Sequence, residues 1–114
     1  MTTGLTCTWT SDSGTAHVTI VGDLEFATTG TLLRLITGRL TGEVREVRLD
    51  CARIGFCDSS GLSELMKVHR VVTDAGGRLH LDHRQPALDR LLARTGTAAY
   101  LTGEARDSRA RLDS

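Results

Sequence analysis

The sequence predicts one small α/β domain, a mixed and mostly parallel sheet of four to five strands with helices packed against it. Three observations predict it. Apolar residues switch repeatedly between every-second-residue spacing and helical spacing along the chain. Glycines and the one proline sit at the switches, where chain reversals and helix ends need them. A chain of 114 residues also suffices for one core and leaves little room for a second.

The elements follow in order. Residues 7–11, Cys-Thr-Trp-Thr-Ser, alternate and meet a turn at Asp12-Ser13-Gly14. Residues 16–22 are rich in β-branched side chains, so the two runs read as a β-hairpin ending at Gly22-Asp23. From Phe26 the period becomes helical, through Thr29, Leu33, Ile36 and Leu40, with Gly42 as the stop. Val44 to Cys51 alternates again, and residues 52–57 form a short link. After Asp58-Ser59-Ser60-Gly61 a second helix carries the stripe Leu62, Leu65, Met66, His69 and Val72 and stops at Gly76-Gly77. Val68 and Val71 fall off this stripe and are compatible with either a wide buried face or part of a partner-binding patch. Residues 78–82 form a short strand. Pro86 opens a third helix, where its missing N–H costs nothing, and Gly96 closes it. A last short strand or turn lies around Tyr100-Leu101. Strands separated by helices pair in parallel through right-handed crossovers, and the hairpin adds an antiparallel edge. The domain is expected over residues 1–102, with residues 103–114 a polar tail, frayed or loosely helical.

Composition excludes several function classes. Acidic and basic residues balance to a formal net charge of zero, and no stretch concentrates positive charge. Neither nucleic acid nor an anionic membrane is therefore expected as a partner. Trp9, Phe26, Phe56 and Tyr100 are too few for a base-stacking platform. No apolar run approaches the roughly 20 residues that cross a bilayer. The first residues show no basic segment followed by an apolar one, so no secretion signal is expected. Cys7, Cys51 and Cys57 are odd in number and irregularly spaced, which fits packed thiols in a cytoplasmic protein.

The most informative stretch runs from Val47-Arg48-Leu49-Asp50 to Asp58-Ser59-Ser60-Gly61-Leu62. Small polar residues at a strand-to-helix junction cap the helix, because side-chain oxygens accept from the unpaired N–H groups of its first turn. Three polar side chains in a row exceed what one cap needs. At least one hydroxyl is then left facing solvent at the positive end of a helix dipole, where an anion is tolerated.

With these motifs the sequence resembles the STAS family, the fold of bacterial anti-sigma factor antagonists, from about Gly22 to Thr102. Gly22-Asp23-Leu24-Glu25 is similar to the family's Gly-acid-Leu-acid turn before the first helix. The Val47–Asp50 and Asp58–Leu62 pair is similar to its central signature. Ala75-Gly76-Gly77-Arg78-Leu79 and the run from Pro86-Ala87-Leu88 through Leu91-Leu92 to Thr95-Gly96 complete the likeness. Glu25 stands where the family usually has Asp, Cys57 where a larger aliphatic is common, and Thr97 where Leu usually follows Gly96.

The resemblance implies a non-enzymatic, phosphorylation-controlled binding switch with no cofactor and no metal. Ser59 would be phosphorylated by an anti-sigma factor serine kinase of the ATPase type. Unphosphorylated protein would sequester that kinase and so release a sigma factor, and a phosphatase acting on phospho-Ser59 would reset the switch. The implied partner-binding residues are Asp23, Leu24, Glu25, Asp58, Ser59, Ser60, Gly61 and Leu62. The alternative within the family is a non-switching module of a stressosome-like or transporter-associated assembly.

Two other chemistries find less support. A hydrolase with Ser59 as nucleophile needs a base beside it, but His69 lies ten residues further along the same helix and Gly-x-Ser-x-Gly is missing. A metal site from Cys51, Cys57, His80 and His83 lacks the short cysteine spacing zinc favours. If His80 and His83 share an extended segment, they also point to opposite faces.

Overall fold

The computed structural model describes residues 4–102. Alternation in the first two runs produces strands β1 (Leu5–Asp12) and β2 (Thr15–Leu24), paired antiparallel with Trp9 opposite Val18 and Cys7 opposite Ile20. Ser13 (φ 53°) and Gly14 (φ 85°) join them, positive φ at both positions being what a two-residue type I′ hairpin turn requires. Next come a single 3-10 turn (Phe26–Thr28), α1 (Thr31–Arg39), β3 (Glu46–Cys57) and α2 (Ser59–Asp74). The chain then forms β4 (Arg78–Asp82), α3 (Pro86–Thr95) and α4 (Ala98–Thr102). The sheet has the order β1-β2-β3-β4, with β2, β3 and β4 parallel.

One face of the sheet supplies the core. Ala16, Val18, Ile20, Val47, Leu49, Cys51, Leu79 and Leu81 are buried there, in aligned rows such as Val18–Leu49–Leu81. Leu32 and Ile36 of α1, Leu62, Leu65, Val68 and Val72 of α2 and Leu101 of α4 cover them. The opposite face is polar. Arg48 donates to both carboxylate oxygens of Asp82 at 2.8 and 2.9 Å, and His80 meets Glu46. Single-sided burial is why the strands read as alternating rather than as continuous apolar runs.

Four expectations are corrected by the structure. Residues 52–57 are not a link but the second half of β3, with register shifts against β2 between Thr19 and Val21 and between Gly22 and Leu24. Each shift admits an extra residue on β3, which erases the period-two pattern that would have marked a strand. The first helix does not begin at Phe26. Gly30 takes a left-handed φ of 97° and separates the 3-10 turn from α1, leaving Phe26 79% exposed. The buried face of α2 is centred on Leu65 and Val68 rather than on Met66 and His69, so Val68 belongs to the core and Val71 is half-buried against it. Finally, the strand or turn around Tyr100-Leu101 is helix α4, with Leu101 fully buried and the Tyr100 ring 4.5 Å from that of His69. Two adjacent alanines favour helix here over strand. The polar tail at 103–114 lies outside the described residues.

Candidate functional site

The site forms where β2 and β3 end side by side and α2 begins. Gly61 makes the junction possible. A Cβ at this position would lie 2.1 Å from the Leu24 carbonyl oxygen, so only glycine lets the first turn of α2 rest on the end of β2.

Asp58 caps α2 from an extended conformation (φ −102°, ψ −170°). Its Oδ1 accepts from the Gly61 N–H at 3.0 Å. Its Oδ2 accepts from the Phe26 N–H, on the 3-10 turn, at 3.3 Å. Its own N–H donates to the Leu24 carbonyl at 3.2 Å, and its carbonyl takes the Leu62 N–H at 2.9 Å. Backbone donors aimed at a carboxylate favour its charged form. The Gly61 N–H, and after it those of Phe26 and Ser60, hold the Asp58 carboxyl below its ordinary 3.8.

A second aspartate ties the same two segments in the opposite sense. Asp23 Oδ1 accepts from the Phe56 N–H at 2.9 Å. The Asp23 carbonyl also accepts from the Thr28 hydroxyl at 2.7 Å, and the Glu25 N–H donates to that hydroxyl at 3.1 Å. The segments 23–28 and 56–61 are thus cross-tied by two aspartates, each accepting from the backbone of a phenylalanine on the other. Phe56 is 56% exposed, so both phenylalanine side chains stand at the rim.

All eight predicted site residues converge here, in different depths. Ser59 is the first residue of α2 and is exposed, and its hydroxyl makes no hydrogen bond among the described residues. Asp23, Glu25, Asp58 and Ser60 are half-buried. Leu24 is fully buried and Gly61 and Leu62 are buried, so these three set the frame beneath the rim. Sequence reasoning missed Phe26, Phe56 and Thr28. The available signal was Gly30, whose placement just after Thr28-Thr29 argues against one helix running from Phe26.

The other candidate chemistries separate in space. His69 packs on Tyr100, ten residues along α2 from Ser59, which is roughly 15 Å at the rise of a helix. Burial pushes the Cys51 thiol up to about 12 and those of Cys7 and Cys57 up to about 11, so all three stay protonated near neutrality. Among the described residues no group of three His, Cys, Asp or Glu side chains is placed to hold a metal ion, and no helix is long and apolar enough to cross a membrane. A shallow pocket of about 180 Å³ lies between the second half of β3 and α3, lined by Ile54, Phe56, Leu88, Leu91 and Arg94. Gln85 also lines it, and its amide donates to the carbonyls of Ala52 and Ile54.

Several solved structures share this architecture. An anti-sigma factor antagonist from Mycobacterium paratuberculosis is similar at 22% identity and a TM-score of 0.67, over 81% of this chain and 78% of that one. The anti-sigma factor antagonist SpoIIAA in its unphosphorylated form is similar at 19% identity and a TM-score of 0.61, over 78% of this chain and 81% of that one. The mouse Slc26a9 anion transporter is similar at 23% identity and a TM-score of 0.56, over 63% of this chain but only 12% of the transporter. No curated protein matches. The sequence profile described as "Mlab, STAS domain" covers residues 7–103, and with the sheet order and helix placement above it settles the family: the chain belongs to the STAS domain family.

Proposed function

We propose that the protein is an anti-sigma factor antagonist, a binding switch governed by phosphorylation of Ser59. The observation that carries this reading is a free, exposed hydroxyl at the first residue of α2, beside a fully engaged capping carboxylate. In the step envisaged, the Ser59 oxygen takes the γ-phosphoryl group of ATP bound to a partner serine kinase. ADP leaves, and the hydroxyl proton passes to the kinase. A phosphatase returns the serine by hydrolysis.

The physics of release is local. Phosphate adds about −1.5 to −2 charges at pH 7. Next to the charged Asp58 it turns the rim strongly anionic, and its desolvation opposes re-docking. A loss of only ~1.4 kcal/mol weakens a complex tenfold. The exposed Phe26 and Phe56 side chains supply the aromatic contacts that protein interfaces favour. Asp23, Glu25 and Ser60 complete the rim, over the frame of Leu24, Gly61 and Leu62.

The test is a capture from source-cell lysate by wild type and by Ser59→Asp, joined to mapping of phosphate after incubation with ATP. The reading expects phosphate on Ser59, and an ATPase-type kinase held by wild type and lost by Ser59→Asp. If both forms retain the same partners, or no kinase is retained, a non-switching role takes over. That second reading, a module of a stressosome-like or transporter-associated assembly, is favoured by the likeness to part of an anion transporter and by the Mlab description of the matching profile.

A further inference from the structure

We propose that Asp58 is a positioning residue that transmits the charge state of Ser59 to the Phe26 turn, an inference that rests on Ser59 being the phosphoacceptor. Among the described residues, Asp58 is the one side chain that joins the two halves of the rim from the α2 side. Its two carboxylate oxygens hold donors on different elements, the Gly61 N–H of α2 and the Phe26 N–H of the 3-10 turn. Both bonds exist together in a single orientation of one short side chain. The Phe26 bond is the longer, at 3.3 Å against 3.0 Å, and lies outside the helix.

A phosphate ester on Ser59 sits one residue from this carboxylate and seeks the same N–H groups of the first turn. Two anions then compete for Ser60 and Gly61 donors that Asp58 now draws on. Repulsion turns the Asp58 side chain, the double attachment breaks, and the weaker bond to Phe26 is lost. The Asp23 bond to Phe56 includes no group of α2 and is left in place. Phosphorylation thereby changes shape as well as charge. The turn bearing the 79% exposed Phe26 loosens, while the Phe56 side of the rim keeps its position.

Phosphoserine installed at position 59 during translation tests this without any kinase or partner. Amide hydrogen exchange is followed by NMR at Phe26, Gly61 and Phe56. The expected result is exchange at least fivefold faster at Phe26 in the phosphorylated protein, with Phe56 unchanged within twofold. In Asp58→Asn, whose side chain has one acceptor oxygen in place of two, phosphorylation should add no further acceleration at Phe26. Unchanged or slower exchange at Phe26, equal acceleration at Phe56, or an undiminished response in Asp58→Asn overturns the proposal. Because the phosphate is installed directly, failure of the kinase capture leaves this result standing, and failure here leaves the switch itself intact.

Discussion

At the ends of β2 and β3, carboxylates accept hydrogen bonds from backbone N–H groups, whereas on the outer face of the sheet they pair with the side chains of Arg48 and His80. Asp58 and Asp23 fix the path of two chain segments by gripping Gly61, Phe26 and Phe56 through their main chain. Arg48 with Asp82, and His80 with Glu46, lie across strands whose position the ladder already determines. Removing a carboxylate of the first kind frees backbone, while removing one of the second kind frees only another side chain. Charge therefore shapes the molecule at one end and dresses it on the other. The difference can be broken or sharpened by substitutions at Gly61, at Asp58 and in the Arg48–Asp82 pair.

The largest effect is expected where the backbone grip depends on a close approach. Gly61→Ala places a methyl group 2.1 Å from the Leu24 carbonyl oxygen, which is main chain and has no rotamer with which to yield. Either the N-terminus of α2 lifts off β2 or β2 moves. Overpacking of this kind costs about 1–3 kcal/mol, or more against rigid backbone. Urea unfolding should show a clear fall in the midpoint with little change in slope. An unaltered midpoint would mean that the junction is looser than its geometry implies.

An intermediate effect belongs to Asp58. Asp58→Asn keeps the shape and removes the charge and one acceptor oxygen, so the melting temperature should fall by a few degrees at neutral pH, as for a weakened helix cap. The sign of the pH dependence follows from the direction of the shift. The folded protein holds this carboxyl below its ordinary 3.8, so its contribution is fully present above that value and is lost as pH falls through the lowered one. The gap in melting temperature between wild type and Asp58→Asn should be constant from pH 7 to 5 and close in stronger acid. A gap that persists unchanged in acid would assign the effect to geometry in place of charge.

The same contrast explains what could be read from the sequence. Core positions such as Val18, Leu49, Leu65 and Leu92 announce themselves because each repeats at the period of its own element. Ser59 and its neighbours were legible as small polar residues at a strand-to-helix boundary. The cross-ties were not. Asp58 meets Phe26 across 32 residues and Phe56 meets Asp23 across 33, and a carboxylate that grips distant backbone leaves no periodic trace. The second half of β3 hid behind its bulges, and the 3-10 turn hid because Phe26 happened to fall in phase with Leu33 and Ile36. Helix α4 eluded a reading tuned to strands, since Tyr100-Leu101 alone is compatible with either. Periodicity reports burial, and the residues that build the site are those whose work is local to a turn or reaches across the fold.

The smallest effect is expected on the outer face. Arg48 and Asp82 make a two-pronged contact at 2.8 and 2.9 Å, yet their side chains remain 39% and 27% exposed. Solvent screens such a pair and the ordered side chains lose entropy, so exposed pairs contribute about 0.2–1 kcal/mol. A double-mutant cycle of Arg48→Ala and Asp82→Ala should give a coupling within that range, shrinking as salt is raised from low to molar concentrations. Binding to any partner that docks at the Ser59 rim should be unchanged, because the pair lies on the opposite face of the sheet from α2. A coupling above 2 kcal/mol, insensitive to salt, would place the outer face among the structural determinants and erase the contrast with the aspartate cross-ties.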